Sequence, residues 1–196
     1  MERIQPFDLV ILLALLAMFV VGYAQGVVRR LLGIGAIVFS LILGAQLRQP
    51  VGEYLSHEWT TIAVEYSFMV AFGAVFVAAA VTLSLGIQLT YRPAPLFPKY
   101  PVLDEILGGI LGVIEGFIIL VAILMITDPY YTNPSFKDNV GFGEFGLLRS
   151  LHEWLDPTLI ADILRNSVIP IIVGVFGFLF PLDVRALFSR ALVAIR

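Results

Sequence analysis

The chain has 196 residues, of which 59% are hydrophobic and only 14% charged, with a formal net charge of −3. Average globular proteins are about 25% charged, and at a mean hydropathy of +0.95 one domain's length of chain cannot hide this much apolar surface from water. The basic residues are scattered rather than gathered into a stripe, which sets nucleic acid aside as a partner, and the absence of cysteine excludes disulfides, thiolate chemistry and Cys-ligated zinc.

Four apolar runs are long enough to cross a bilayer core, which takes about 20 residues. Residues 9–28 carry no charge and end in Arg29-Arg30; residues 31–47 end at Arg48; residues 66–91 end at Arg92-Pro93. The first run is expected to be a retained anchor, since Met1-Glu2-Arg3 has no net positive charge and no A-x-A pattern follows. Between the first two runs the link is very short, about residues 25–32. A single long helix would strand both arginines away from any interface, at roughly 2.5–3.5 kcal/mol each near the bilayer centre. A tight hairpin that brings them to the headgroups is preferred. The segment RPAPLFPKYP that follows the third run holds prolines at 93, 95, 98 and 101 and predicts a stiff, extended connector.

The fourth run, residues 106–127, is the most informative. Glycines at 108, 112 and 116 recur every fourth residue, with Gly109 beside them, and so share one helix face where a second backbone can approach. Gly22 and Gly26 form the same GxxxG spacing in the first run; Gly33, Gly35 and Gly44 mark the second, and Ala71, Gly73, Ala74, Ala78 and Ala79 the third. Packing within one chain is the main reading of these small residues, and contact between copies the other. The fold class expected is all-α, an integral membrane bundle of four transmembrane helices with a C-terminal extension of short, partly interfacial helices. Residues 1–128 form the four-span unit (spans about 8–28, 31–49, 65–91 and 104–127) and 129–196 the extension.

In the extension, residues 129–146 are rich in turn residues. Short helices are predicted over 144–155 and over 157–166, the second with Asp156 as N-cap and Pro157 at its first position. Residues 168–182 are apolar but short and contain Pro170 and Pro181, so a re-entrant or interfacial element is preferred to a span. Residues 183–196 are amphipathic, with Arg185, Arg190 and Arg196, and read as a helix on the headgroups. Arg29, Arg30, Arg92 and Lys99 fall on one side of the four spans; Arg3 and Arg48 fall on the other with most of the acidic loop residues. The positive-inside rule makes the first side cytoplasmic and places both termini outside.

No nucleophile elbow, P-loop, dinucleotide fingerprint or HExxH motif occurs, and no enzyme, cofactor or metal is expected. His152, Glu153 and Asp156 are read as a solvated helix face rather than as ligands, and Ser150 with His152 lacks the rest of a triad. Glu65 reads as an interfacial charge. Glu115, the only charge inside the fourth run, is the functional candidate, because a carboxylate inside a span is costly and faces protein or water. It serves either as a proton- or cation-responsive site or as a structural group paired with an arginine of the first hairpin. In the structural case, Glu115→Gln is expected to be nearly silent.

With these residues in view, the chain resembles the colicin V production protein family, the CvpA-like integral membrane proteins. The resemblance lies in Asp8, Gly22, Gly26, Arg29 or Arg30 and Gly33 or Gly35 of the opening hairpin, and in Asp104 leading into Gly108, Gly109, Gly112 and Gly116. Ser167 and Pro170 resemble a Ser…Pro element of the family's tail. The likeness covers about residues 7–127 well and the tail weakly. The family often has a basic residue where Glu115 stands, and this chain departs there. The resemblance implies a bacterial inner-membrane protein with four spans, linked to colicin V production or export and to envelope function. Its partners are then the lipid bilayer, and other membrane proteins or a second copy. A small transporter or channel component using Glu115 is the alternative.

The orientation is tested by cysteines introduced at Ser135 and Arg92 and an impermeant thiol reagent applied to intact cells. Labelling at 135 and protection at 92 is the expected result; the reverse pattern inverts the topology.

Overall fold

The computed structural model describes residues 5–91, 96–97, 99–133, 144–182 and 184–186. Arg92, Ser135 and most of the expected amphipathic tail, with Arg190 and Arg196, lie outside the described residues. The described residues form helices and connections and no strands. The elements are α1 (Pro6–Gln25), α2 (Val27–Glu58), α3 (Val64–Thr90), α4 (Pro101–Tyr131), α5 (Gly146–Leu155), α6 (Leu159–Ile163) and α7 (Ile169–Phe176). A π turn, Leu164–Val168, joins α6 to α7, and a 3₁₀ turn, Gly177–Leu179, follows. Pro6 and Pro101 open α1 and α4 at the first turn, where the missing N–H has no partner to lose.

The four expected spans are the four long helices, with shifted ends. The largest shift is in α2, which runs to Glu58 instead of stopping near residue 49. Pro50 removes one backbone hydrogen bond, but the helix continues beyond it. At 32 residues α2 is about 48 Å long, so its polar last turns project beyond an apolar core of about 30 Å.

Helix α4 is the hub. Helix α1 runs antiparallel along it in backbone contact: a methyl added at Gly108 would lie 2.6 Å from the Gly22 carbonyl oxygen, and one at Gly112 would strike the Met18 carbonyl. The chain then reverses at Gly26, which has φ +76°, the only positive φ among the described residues. Helix α2 runs parallel to α4 along a different face, so α1 and α2 form a sharp hairpin whose arms pack on α4 more than on each other. Helix α3 returns antiparallel to α2, with the Phe72 ring against Gly44 and the Phe68 ring against Gly52. The main core lies where α2, α3 and α4 meet, around Leu41, Phe72, Val121, Leu124 and Met125, and is closed by Leu164 and Ile169.

By length and composition five helices could cross a membrane, one more than expected: the fifth is the continuous stretch Leu159–Leu179, 21 residues long. The helix expected over 157–166 and the separate short apolar element expected over 168–182 are one continuous helical stretch, and Pro170 sits in the first turn of α7 instead of breaking it. The hydrogen bonds that tie this stretch to the long helices lie towards one end of the bundle. The N–H groups of Leu159 and Ile160 point at Asp8, Arg165 reaches Asp128, and the Leu179 carbonyl accepts from Gln46 Nε2 at 2.6 Å. Asp8 stands near the start of α1, Asp128 near the end of α4, and Gln46 in the second half of α2. A helix about 31 Å long laid along the bundle would carry Leu179 to the opposite end, so the stretch lies across this end.

The glycine contact generates a graded prediction. Gly112→Leu should cost more than the about 1–3 kcal/mol of ordinary overpacking, because the obstacle is backbone. Gly116→Leu should cost less, since the Leu15 and Met18 side chains that it meets can move. Gly26→Ala should be destabilising through both its positive φ and its contact with the Asp104 carboxylate. Detergent-induced unfolding followed by helical signal ranks the variants; a Gly112→Leu protein as stable as the parent would remove the α1–α4 contact from consideration.

Candidate functional site

The hairpin places two arginines at the start of α2. Gly26 cannot cap the helix through a side chain, and a carboxylate from another helix does so: Asp104 Oδ2 accepts from the Val27 N–H at 3.4 Å, while its Oδ1 accepts from Leu96 N–H at 2.9 Å. A buried anion at a helix N-terminus is favoured by the unpaired N–H groups and the helix dipole. This tie orients the first turn of α2, so that Arg30 turns into the bundle and Arg29 stays partly exposed. Arg30 Nη1 donates to Glu115 Oε2 in a buried ion pair. Gly33 makes room for that carboxylate: a methyl there would lie 2.8 Å from Glu115 Oε1. Arg30 Nε is buried with no hydrogen-bond partner.

Glu115 therefore faces the first hairpin, with α2 supplying its counter-charge. It also borders two adjoining hollows of about 270 and 400 Å³ that share Ser84, Gln88 and Glu115 itself. Arg29 lines the smaller one, next to Gln25. Among the other residues singled out from sequence, Gly22, Gly26, Gly108 and Gly112 meet at the α1–α4 contact, Gly116 lies against side chains of α1, and Lys99 is exposed in the connection before α4.

The far end of the bundle holds a second polar centre that was not legible in the sequence. Asp128, near the end of α4, takes a two-pronged contact from Arg165, with Nε to Oδ2 at 2.8 Å and Nη2 to Oδ1 at 2.7 Å. His152 Nε2 lies 3.1 Å from Asp128 Oδ1, and its ring packs 5.0 Å from that of Tyr131. The reading of His152 as part of a solvated helix face is thus incorrect: α5 turns this side chain inward, where it is 6% exposed. Asp156 is not the N-cap of α6 either. Thr158 is, with Oγ1 accepting from Ala161 N–H at 3.1 Å, and Asp156 pairs with Arg165 Nη1 at 2.9 Å. The N-terminus of α6 receives Asp8, whose oxygens face the Leu159 and Ile160 N–H groups at 3.5 and 3.3 Å. Beside this centre, Arg149 pairs with Glu144 at 2.6 Å. Partial burial works against the Arg149 charge, but the Glu144 carboxylate outweighs it and holds the proton more tightly than usual.

These geometries alter what Glu115→Gln should do. The amide would leave Arg30 buried without its counter-charge, so the substitution is expected to cost about 3–5 kcal/mol rather than be silent. The double substitution Arg30→Met with Glu115→Met removes both charges and should recover most of that loss. Unfolding titrations on the two single variants and the pair give the coupling directly; additive losses would mean that the two side chains do not interact.

The model of the family described as "Colicin V production protein" matches residues 7–139, which take in all four long helices, the Gly26–Asp104 junction, the Arg30–Glu115 pair and Asp128. No curated protein and no solved structure matches the chain. The match agrees with the family read from Asp8, the glycines of α1 and α4, and Asp104. With that match over most of its length and long apolar helices packed on a glycine seam, this multi-pass membrane protein belongs to the colicin V production protein family.

Proposed function

We propose that the chain is a non-enzymatic protein of the bacterial inner membrane that supports colicin V or related toxin production or export and envelope homeostasis, acting as a helical scaffold for other membrane proteins. The observation that carries this reading is how its buried charges are used. Arg30 is taken up by Glu115, Asp128 by Arg165 and His152, and Asp104 and Asp8 by the N-termini of α2 and α6. Each of these groups joins one helix to another. In hydrocarbon such ties specify which faces meet, which is the work of a scaffold. Four helices crossing the membrane, with Leu159–Leu179 lying across the outer end, keep Arg29, Arg30 and Lys99 at the cytoplasmic face. The apolar outer faces of α1 and α3, with Leu9, Leu16, Val77 and Val81 exposed, meet lipid, a partner or a second copy.

A second reading is favoured by one observation: Glu115 borders hollows that also contain Gln25, Gln88 and Arg29. In that reading the carboxylate serves a small transporter or channel component.

The experiment is complementation of a toxin-producing strain lacking this gene. A scaffold predicts that the Arg30→Met, Glu115→Met double variant restores toxin release and tolerance of envelope stress, because the fold is kept. A well-folded double variant that fails to restore release, and that loses proton or cation flux in proteoliposomes, would replace the scaffold by the transporter.

A further inference from the structure

The two hollows beside Glu115 form one crevice with unlike ends. At its mouth stand Gln25, Arg29 and Arg30, where α1 ends and α2 begins. Its inner trough is apolar, lined by Phe76, Val77, Val81, Leu85 and Ile119. Val77, Val81 and Leu85 are each more than half exposed, so the trough opens sideways from the bundle, towards where lipid chains lie. The mouth carries more positive than negative charge. Among the described residues Arg29 makes no ion pair, and Arg30 gives Nη1 to Glu115 while its Nε, although buried, has no hydrogen-bond partner.

We propose that this crevice binds an anionic phospholipid from the bilayer, with its phosphate held by Arg29 at the mouth, beside the Arg30–Glu115 pair, and one acyl chain in the trough. Arg29 is partly exposed at the mouth and has no ion pair among the described residues, and guanidinium groups bind phosphate oxygens through paired N–H donors. Arg29 lies within the first turn of α2, at the level of the headgroups. The trough by itself selects nothing, because lipid tails are as apolar as leucine; selectivity comes from charge at the mouth. A free phosphate would satisfy the mouth but leave the trough unfilled. The inference stands apart from both readings above, since it concerns what occupies the crevice and not toxin release or flux.

The test uses the full chain, purified in mild detergent and stripped of lipid. Thermal unfolding and native mass spectrometry are followed with phosphatidylglycerol, with phosphatidylcholine of the same chains, and with inorganic phosphate. Phosphatidylglycerol should be retained as a single adduct and raise Tm, with phosphatidylcholine much weaker. Arg29→Gln should weaken phosphatidylglycerol about fivefold, the worth of one arginine at an anionic surface, without lowering the Tm of the lipid-free protein, since Arg29 makes no ion pair to lose. Ala80→Trp, which fills the trough, should abolish retention while Arg29 stays in place. Equal retention of the two lipids, an Arg29→Gln protein that keeps its preference, a full Tm shift from inorganic phosphate alone, or a dimer abolished by Ala80→Trp but indifferent to phosphatidylglycerol would each overturn the proposal.

Discussion

The approach of α1 to α4 at backbone distance sets the positions of almost everything else. Within a bilayer, apolar side chains gain little by leaving lipid, so helices associate through close van der Waals contact and hydrogen bonds. Gly22 against Gly108, and Met18 against Gly112, allow that contact and fix the register of the pair. In this register the end of α1 arrives beside Asp104. Gly26, with its positive φ, turns the chain there, and the Asp104 carboxylate receives the first N–H of α2. The direction in which α2 leaves the hairpin decides that Arg30 reaches Glu115. A side chain at Gly108 or Gly112 would therefore disturb an ion pair that neither residue touches.

The charges buried in the bundle follow from the same solvent. Where water is absent, each polar group needs a partner within the protein, and a chain rich in apolar residues has few to spare. Two aspartates accept from N–H groups that open helices far away in sequence, Asp104 for α2 and Asp8 for α6. An anion at a helix N-terminus loses little by being buried, because several N–H dipoles replace its water. The Arg30–Glu115 and Arg165–Asp128 pairs differ in kind. Their attraction is offset by a large desolvation cost, so their net contribution to stability is small, while loss of one member is severe. Such pairs serve to exclude other arrangements: α2 cannot rotate on α4, and the stretch from α6 cannot slide, without leaving a charge alone.

The two ends of the bundle are consequently unlike. At the Gly26 end the helices converge by backbone contact, and Arg29, partly exposed, remains with donors to offer. At the other end α5 and α6 are tied to the long helices through Asp8, Asp128, His152 and Arg165, and these charges meet partners within the protein.

The sequence by itself determined the long helices, the glycine seam, the family and the inward direction of Glu115. Each of these rests on a local pattern, whether length of apolar run, spacing of four, or a charge that cannot face hydrocarbon. It also placed Arg29 and Arg30 at a reversal, because the alternative was energetically poor. The tertiary structure alone decided which arginine meets Glu115, that α2 continues through Pro50, and that Leu159–Leu179 is one helical stretch lying across the bundle end. It also decided that His152 is buried. Read along α5, His152 and Glu153 are neighbours in a polar stretch; only the placement of Asp128, from a helix that ends more than a dozen residues earlier, turns one of them inward. Periodicity reports the face of a helix, but the partner of that face comes from distant chain, and in this protein those partners are single charges with no motif around them.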